Sequence, residues 1–407
     1  MRVLVHQPFH MGHHYRYIGC LLPALVELPV ETVVAITPAG MASPEFKVFL
    51  EPFADRVRFE ARLPESDPSL PMNERMKAHD ALRAVVRNLR PDYVLIPSGD
   101  AQTTAMAAFR LLGAGALPGR VPCEIGLHFG TGGSERSARR VIRDTLNEVN
   151  LAASGLARIL IVNLLYFEQV RQRPLLRRRA ALMPQPIESG VADKRTSRRR
   201  LGLPEDGRYI GLAASFDARK AVPQMLAAFR DAAAPGDRVL LAGWMVRAHR
   251  ETIERDFQDL IRSDRLFVRF GFLPPDEYRA AVGALDVVCT PYPGFPGLSL
   301  TVLEAAATGR PVLVHNSGWS GEMLRRFPLG WACDVLDHAA FTAAIRHALE
   351  TFDTVTPTES VRRLLAFHST SNFARTWAAG LRARCGLPPD PPHTWDWVEA
   401  AAGPATP

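Results

Sequence analysis

Short β-branched runs alternate with longer amphipathic stretches from one end of this 407-residue chain to the other, and that rhythm limits its folds most. In the first half the strand candidates are 3–6, 32–36, 93–96, 123–128 and 159–162, with helical patterns at 73–89, 101–112 and 135–154. The second half repeats it, with strands at 209–214, 238–242, 266–270, 287–290 and 312–315. Its helices are expected at 222–233, 251–263, 275–284 and 300–309. Near-continuous apolar strands separated by helices imply parallel βαβ units with right-handed crossovers. Two such series predict an α/β protein of two Rossmann-like, doubly wound parallel-sheet domains, the first ending where Met183-Pro-Gln-Pro186 gives way to the charged stretch 192–200. We expect an N-terminal domain over 1–190, a second over 191–370, a helix over 371–387 returning to the first, and a Pro-rich tail over 388–407 containing Trp395 and Trp397.

Composition removes several classes. Hydrophobic residues make up 47% and charged residues 22%, the balance of a globular rather than a disordered chain. No apolar run reaches the roughly 18 residues of a membrane helix; the longest, 159–167, is broken by Asn163. The opening Met1-Arg-Val-Leu-Val5 is strand-like and lacks a signal peptide's apolar core. Cys20, Cys123, Cys289, Cys333 and Cys385 stand singly, which fits buried thiols in a reducing cytoplasm and supports neither zinc nor a disulfide framework. The net charge is +7, yet only Lys47, Lys77, Lys194 and Lys220 are lysines, so arginine dominates as under a coding bias, and no nucleic-acid partner is expected. Two arginine clusters, Arg171, Arg173, Arg177, Arg178 and Arg179, then Arg195, Arg198, Arg199 and Arg200, are expected as solvated basic surface, the alternative being peripheral contact with the inner membrane face.

In open parallel sheets ligands bind beyond the carboxyl ends of the strands. The loop Pro291-Tyr-Pro-Gly-Phe-Pro-Gly-Leu-Ser-Leu300 follows one strand and opens into the helix carrying Glu304. Gly294 and Gly297 admit a close backbone approach, Ser299 is a natural N-cap, and the helix N-terminus suits a phosphate. Glu304, about one turn in, could accept the hydroxyls of a ribose or cap its own helix. Arg219 and Lys220, leaving the strand at 209–214, could neutralise a diphosphate. Gly271-Phe-Leu-Pro-Pro275 and Asn316-Ser-Gly-Trp-Ser-Gly-Glu322 are further loops on the same edge.

The run GFLPPDEYRAAVGALDVVCTPYPGFPGLSLTVLEAAATGRPVLVHNSGWSGEML, residues 271–324, resembles the donor half of the retaining family-4 glycosyltransferases of the GT-B fold. Arg90-Pro-Asp-Tyr-Val-Leu-Ile96, the strand ending at His128, and Met183-Pro-Gln-Pro186 fall where that family has its upstream motifs. The resemblance implies two domains facing across a cleft. It implies a UDP- or GDP-linked nucleotide-sugar donor in the second, an acceptor in the first, and no catalytic metal; the chain has no Asp-x-Asp motif. It further implies catalytic roles for His128 and Lys220, with Arg219 standing in for the family's arginine, donor contacts from Gly12, Ser215, Phe272, Leu273, Gly297, Ser299, Leu300 and Glu304, and acceptor-side contacts from His13 and His14. Asp100, at a strand end of the first domain, is a further acceptor-side candidate.

The family's first glutamate falls on Pro296, its phosphate-side glycine on Ser299, and the arginine of its basic motif on Ser215. These departures keep two other readings open, a nucleotide- or glycan-binding protein without turnover and a sugar-nucleotide epimerase. A histidine metal site at His10, His13 and His14 lacks an acidic or Cys ligand nearby in sequence. Asp100 reads equally as an acceptor contact and as the N-cap of the next helix.

Overall fold

A computed structural model describes residues 1–389 except 11, 65–71, 101, 129–137, 189, 191 and 296, with backbone only for 72–75 and 138–144. The expectations on Pro296 and on the tail with Trp395 and Trp397 lie outside the described residues. The chain forms two compact units, one built on Met1–Pro186 and the helix Thr370–Arg384, the other on Ile187–Phe295 and Ser299–Ser369.

The first unit holds a seven-stranded sheet of β1 (Arg2–His6), β2 (Glu31–Ile36), β3 (Arg58–Ala61), β4 (Tyr93–Ile96), β5 (Cys123–Leu127), β6 (Arg158–Ile161) and β7 (Ala180–Leu182). Their order is β3-β2-β1-β4-β5-β6-β7, all parallel. The second unit holds six parallel strands, β8 (Tyr209–Ala213), β9 (Arg238–Gly243), β10 (Leu266–Phe270), β11 (Val287–Thr290), β12 (Val312–His315) and β13 (Gly330–Cys333), in the order β10-β9-β8-β11-β12-β13. Both sheets are doubly wound, as the alternation predicts. Their switch points lie between β1 and β4 and between β8 and β11.

The central strands β4, β5, β8, β11 and β12 are buried along their whole length, which is why they read as unbroken apolar runs. Three strands went unforeseen. β3, β7 and β13 are all edge strands, partly exposed, with the sequences RFEA, AAL and GWAC. The helix His14–Val26 was also missed, since Pro23 lies inside it. The single helix expected at 251–263 is two, Arg247–Asp256 and Gln258–Arg262, broken at Phe257, whose φ of −125° is not helical.

Two buried ionic anchors set the frame. In the second unit Asp286, just before β11, accepts from Arg198 at 2.7 Å, Lys194 at 2.5 Å and the Tyr209 amide at 2.8 Å. Arg198 is therefore interior, which corrects its expected place on a basic surface: it is 4% exposed and also donates to the Ala284 carbonyl. Arg199 and Arg200 pair with Glu205 and Asp276. In the first unit Glu124 of β5, fully buried, accepts from Tyr93 at 2.5 Å and pairs with Arg158 at 3.2 Å, and Arg158 donates to the Thr376 carbonyl of the Thr370–Arg384 helix. That helix buries Phe373, Trp377 and Leu381 against the first unit.

Candidate functional site

In the second unit the sequence-selected residues gather on the carboxyl edge of one sheet. After β8, Ser215 is exposed and Asp217 caps a short turn, Ala218–Lys220, by accepting from the Arg219 amide at 2.9 Å. The Asp217 carboxylate also grips the Arg219 guanidinium through Nε at 3.1 Å and Nη2 at 2.7 Å. Ala221 follows with φ 44° and ψ 37°, a left-handed conformation that is strained for a residue with a Cβ. It reverses the chain between Lys220 and the helix Val222–Ala232.

Lys220 has no carboxylate within ion-pair distance among the described residues, and its Nζ stands 4.0 Å from the centre of the Tyr292 ring. Burial lowers its pKa to about 8, with Asp217 opposing the shift and Arg219 adding to it. The Arg219 guanidinium lies 5.5 Å from the centre of the Phe295 ring.

Ser299 takes the N-cap position of the helix Leu300–Ala307, but its side chain makes no capping bond. Its buried hydroxyl has no hydrogen-bond partner among the described residues, a correction to the expected cap. Glu304 is 7% exposed and accepts from the Tyr278 hydroxyl at 2.5 Å, rather than capping its own helix. Gly297 is buried in the loop before that helix, and Phe272 and Leu273 are half-buried after β10. Gly318, the first residue of the helix Gly318–Arg326 after β12, packs so closely that a Cβ would fall 2.5 Å from the Phe295 carbonyl oxygen.

In the first unit, Gly12 turns the chain with φ 71° and His13 stands at the N-cap of the His14–Val26 helix. The His13 ring lies 4.7 Å from His14 and 5.5 Å from His128, and Tyr17 stacks on His128 at 5.4 Å. Ser98, after β4, accepts from Gln7 Nε2 at 3.2 Å and bonds His14 Nδ1 at 2.9 Å. Burial, then the neighbouring His128 and His10, lower the His14 pKa to about 3, so its ring is neutral at neutral pH. His14 therefore offers hydrogen bonds, not a charge, to a ligand.

His128 Nε2 sits 2.9 Å from the Pro97 carbonyl, which can only accept, so the neutral ring carries its proton on Nε2 and presents Nδ1 as an acceptor. The His128 amide donates to Asp100 Oδ2 at 3.0 Å, while the following helix, Thr103–Leu111, has Gln102 at its N-cap. Asp100 thus caps the end of β5 and is not the N-cap of the next helix, one of its two expected readings. Sequence reasoning missed Gln7, Tyr17, Ser98, Tyr278 and Tyr292. Tyr292 alone lay within a loop already singled out.

Residues 193–354, which include β8 to β13 of the second unit, match the family of glycosyl transferases group 1. No curated protein matches the chain in sequence. Among solved structures it is similar to Anabaena HepE in complex with UDP and glucose, at 14% identity and a TM-score of 0.66, covering 94% of this chain and 100% of that one. Sucrose-phosphate synthase from Thermosynechococcus elongatus is similar at 17% identity and a TM-score of 0.68, covering 95% and 99%. A glycosyltransferase from Rickettsia africae aligns at 12% identity and a TM-score of 0.63, covering 94% and 98%. Together with the two parallel sheets, these likenesses give the chain the GT-B fold.

Proposed function

We infer that this chain, whose residues 193–354 match the group 1 glycosyl transferases, moves a sugar from a nucleotide-sugar donor to an acceptor hydroxyl. The carrying observation is a pair of features on the carboxyl edge of the second sheet: the lysine-bearing turn after β8, and the helix bearing Glu304 that follows β11. An ammonium with no carboxylate at ion-pair distance among the described residues and a helix N-terminus suit a diphosphate. A buried carboxylate one turn further in suits ribose hydroxyls. HepE, similar in fold, has been solved with UDP and with UDP-glucose, which supports a uridine nucleotide as the first donor to test.

The donor contacts we assign are Lys220 and Arg219 on the diphosphate, the amides at Ser299 and Leu300 beside it, Glu304 on the ribose, and the backbone near Phe272 and Leu273 on the base. We assign the reaction to the retaining, family-4 type, without a catalytic metal. The departing diphosphate takes the acceptor proton, and Lys220 and Arg219 stabilise its growing charge. In the first unit His128, with Nδ1 as acceptor, holds a sugar hydroxyl, and His13, His14 and Asp100 belong with the acceptor. The acceptor class we assign is a glycan, a lipid-linked glycan or a natural product. Arg171, Arg177 and Arg178, all exposed, are the groups we assign to contact with an anionic membrane face.

Incubating the protein with UDP-sugars and GDP-sugars tests the class. A transferase releases free nucleotide only when an acceptor is supplied. An epimerase would convert the donor alone, and a binding protein would leave it intact, the outcome Pro296 in place of the family's glutamate would explain.

A further inference from the structure

The two cations of the turn after β8 rest on aromatic rings of the loop after β11. Lys220 Nζ lies 4.0 Å from the Tyr292 centroid and Arg219 lies 5.5 Å from that of Phe295. The rings meet edge to face, 6.1 Å apart at 82°. β8 and β11 are hydrogen-bonded neighbours across the switch point, so ring and ammonium are fixed by adjacent strands. Tyr292 is 5% exposed, and Gly318 backs the Phe295 carbonyl.

A half-buried ammonium needs compensation for lost water. A carboxylate gives the most, but cancels the charge an incoming anion must meet, as Asp217 does in part for Arg219. An aromatic face attracts a cation electrostatically and remains uncharged. Lys220 has the ring and, among the described residues, no carboxylate within ion-pair distance, so its charge stays available.

We propose that Tyr292 is a positioning residue for the donor diphosphate: its ring holds Lys220 charged and oriented at the switch point of the second sheet, with no carboxylate of the described residues within ion-pair distance. The role rests on the nucleotide-sugar reading above and adds to it a residue that acts through Lys220. The loop whose next position, Pro296, lacks the family's carboxylate contributes aromatic faces to the diphosphate end of the site.

The chain has only four lysines, so 13C reductive methylation gives four lysine signals beside that of the α-amino terminus. The Lys220 signal is identified by its loss in Lys220→Arg. It is expected upfield from the Tyr292 ring current, to return to the ordinary position in Tyr292→Leu, and to stay upfield in Tyr292→Phe. Lys194, 4.7 Å from the Phe352 centroid, provides an internal standard of folding that should move in neither variant. Tyr292→Met, closer to tyrosine in length, stands in if the leucine variant loses the Lys194 signature.

Titration with UDP and with uridine supplies the second readout. Tyr292→Leu should weaken UDP about tenfold and leave uridine unchanged, and Tyr292→Phe should restore UDP. A Lys220 signal without an upfield shift, or one indifferent to the loss of the ring, would overturn the proposal. Equal weakening of UDP and uridine would do the same, since it marks a structural role. If the wild type binds neither, the nucleotide reading fails and the diphosphate role with it, and the lysine spectrum then decides the ring contact alone.

Discussion

The hydroxyl of Tyr278 donates a 2.5 Å hydrogen bond to Oε2 of Glu304, joining the Pro275–Gly283 helix to the Leu300–Ala307 helix. A hydrogen bond to a carboxylate contributes about 1.5–3 kcal/mol, enough to select one rotamer of a buried side chain. The carboxylate assigned to the ribose is thus oriented before any nucleotide arrives.

Tyr278→Phe should therefore weaken UDP and uridine equally, by about tenfold, because the loss falls at the ribose end. Isothermal titration measures both. Tighter binding in the variant would instead mean that Tyr278 competes with the ligand for the carboxylate.

Lys220 gives the site a pH signature with two opposite signs. Its folded pKa, lowered to about 8, lies below its unfolded value, so the folded state loses this proton first as pH rises. The unliganded protein should gain stability from this group between about pH 8 and the ordinary lysine range near 10.4, while nucleotide affinity falls in the same window. Lys220→Met should flatten both profiles; urea titrations and binding isotherms across pH 7 to about 10 record them.

The Pro97 contact fixes the His128 tautomer. Long-range 15N–1H spectra should show its proton on Nε2 and a bare Nδ1. If the acceptor nitrogen matters for transfer, His128→Asn, which places an amide oxygen near Nδ1, should retain about tenfold more turnover than His128→Gln. The reverse order would assign the role to Nε2.

The fold was legible wherever a strand is buried on both faces, because such a strand must be apolar throughout. It was illegible at β3, β7 and β13, where one side of the strand meets no partner and composition is free to vary. Glu304 and Lys220 were legible because a motif carries them at fixed spacing. Their partners were not: Tyr278 lies 26 positions before Glu304 and the ring beneath Lys220 comes from a different strand loop. Such pairings are set by sheet order, which no local pattern records. Arg198 misled for the same reason, since the Asp286 that draws it inside lies 88 positions away.

The buried pair in the first unit should dominate stability there. Arg158→Met leaves Glu124 fully buried without its cation, a change that costs about 3–5 kcal/mol, and also frees the Thr376 carbonyl. Adding Glu124→Gln should recover much of that loss. Urea denaturation of the single and double variants measures it. Equal stability of wild type and Arg158→Met would mean that the Thr370–Arg384 helix is held by Phe373, Trp377 and Leu381 alone.

The central claim is that the second unit binds a nucleotide sugar through Glu304. Thermal unfolding with and without UDP or GDP, for the wild type and Glu304→Ala, tests it most directly, because a ligand that binds only the folded state raises the melting temperature with concentration. One nucleotide should stabilise the wild type and leave the variant unmoved. A well-folded wild type that answers to no nucleotide, or a Glu304→Ala variant that shifts as much as the wild type, would contradict it.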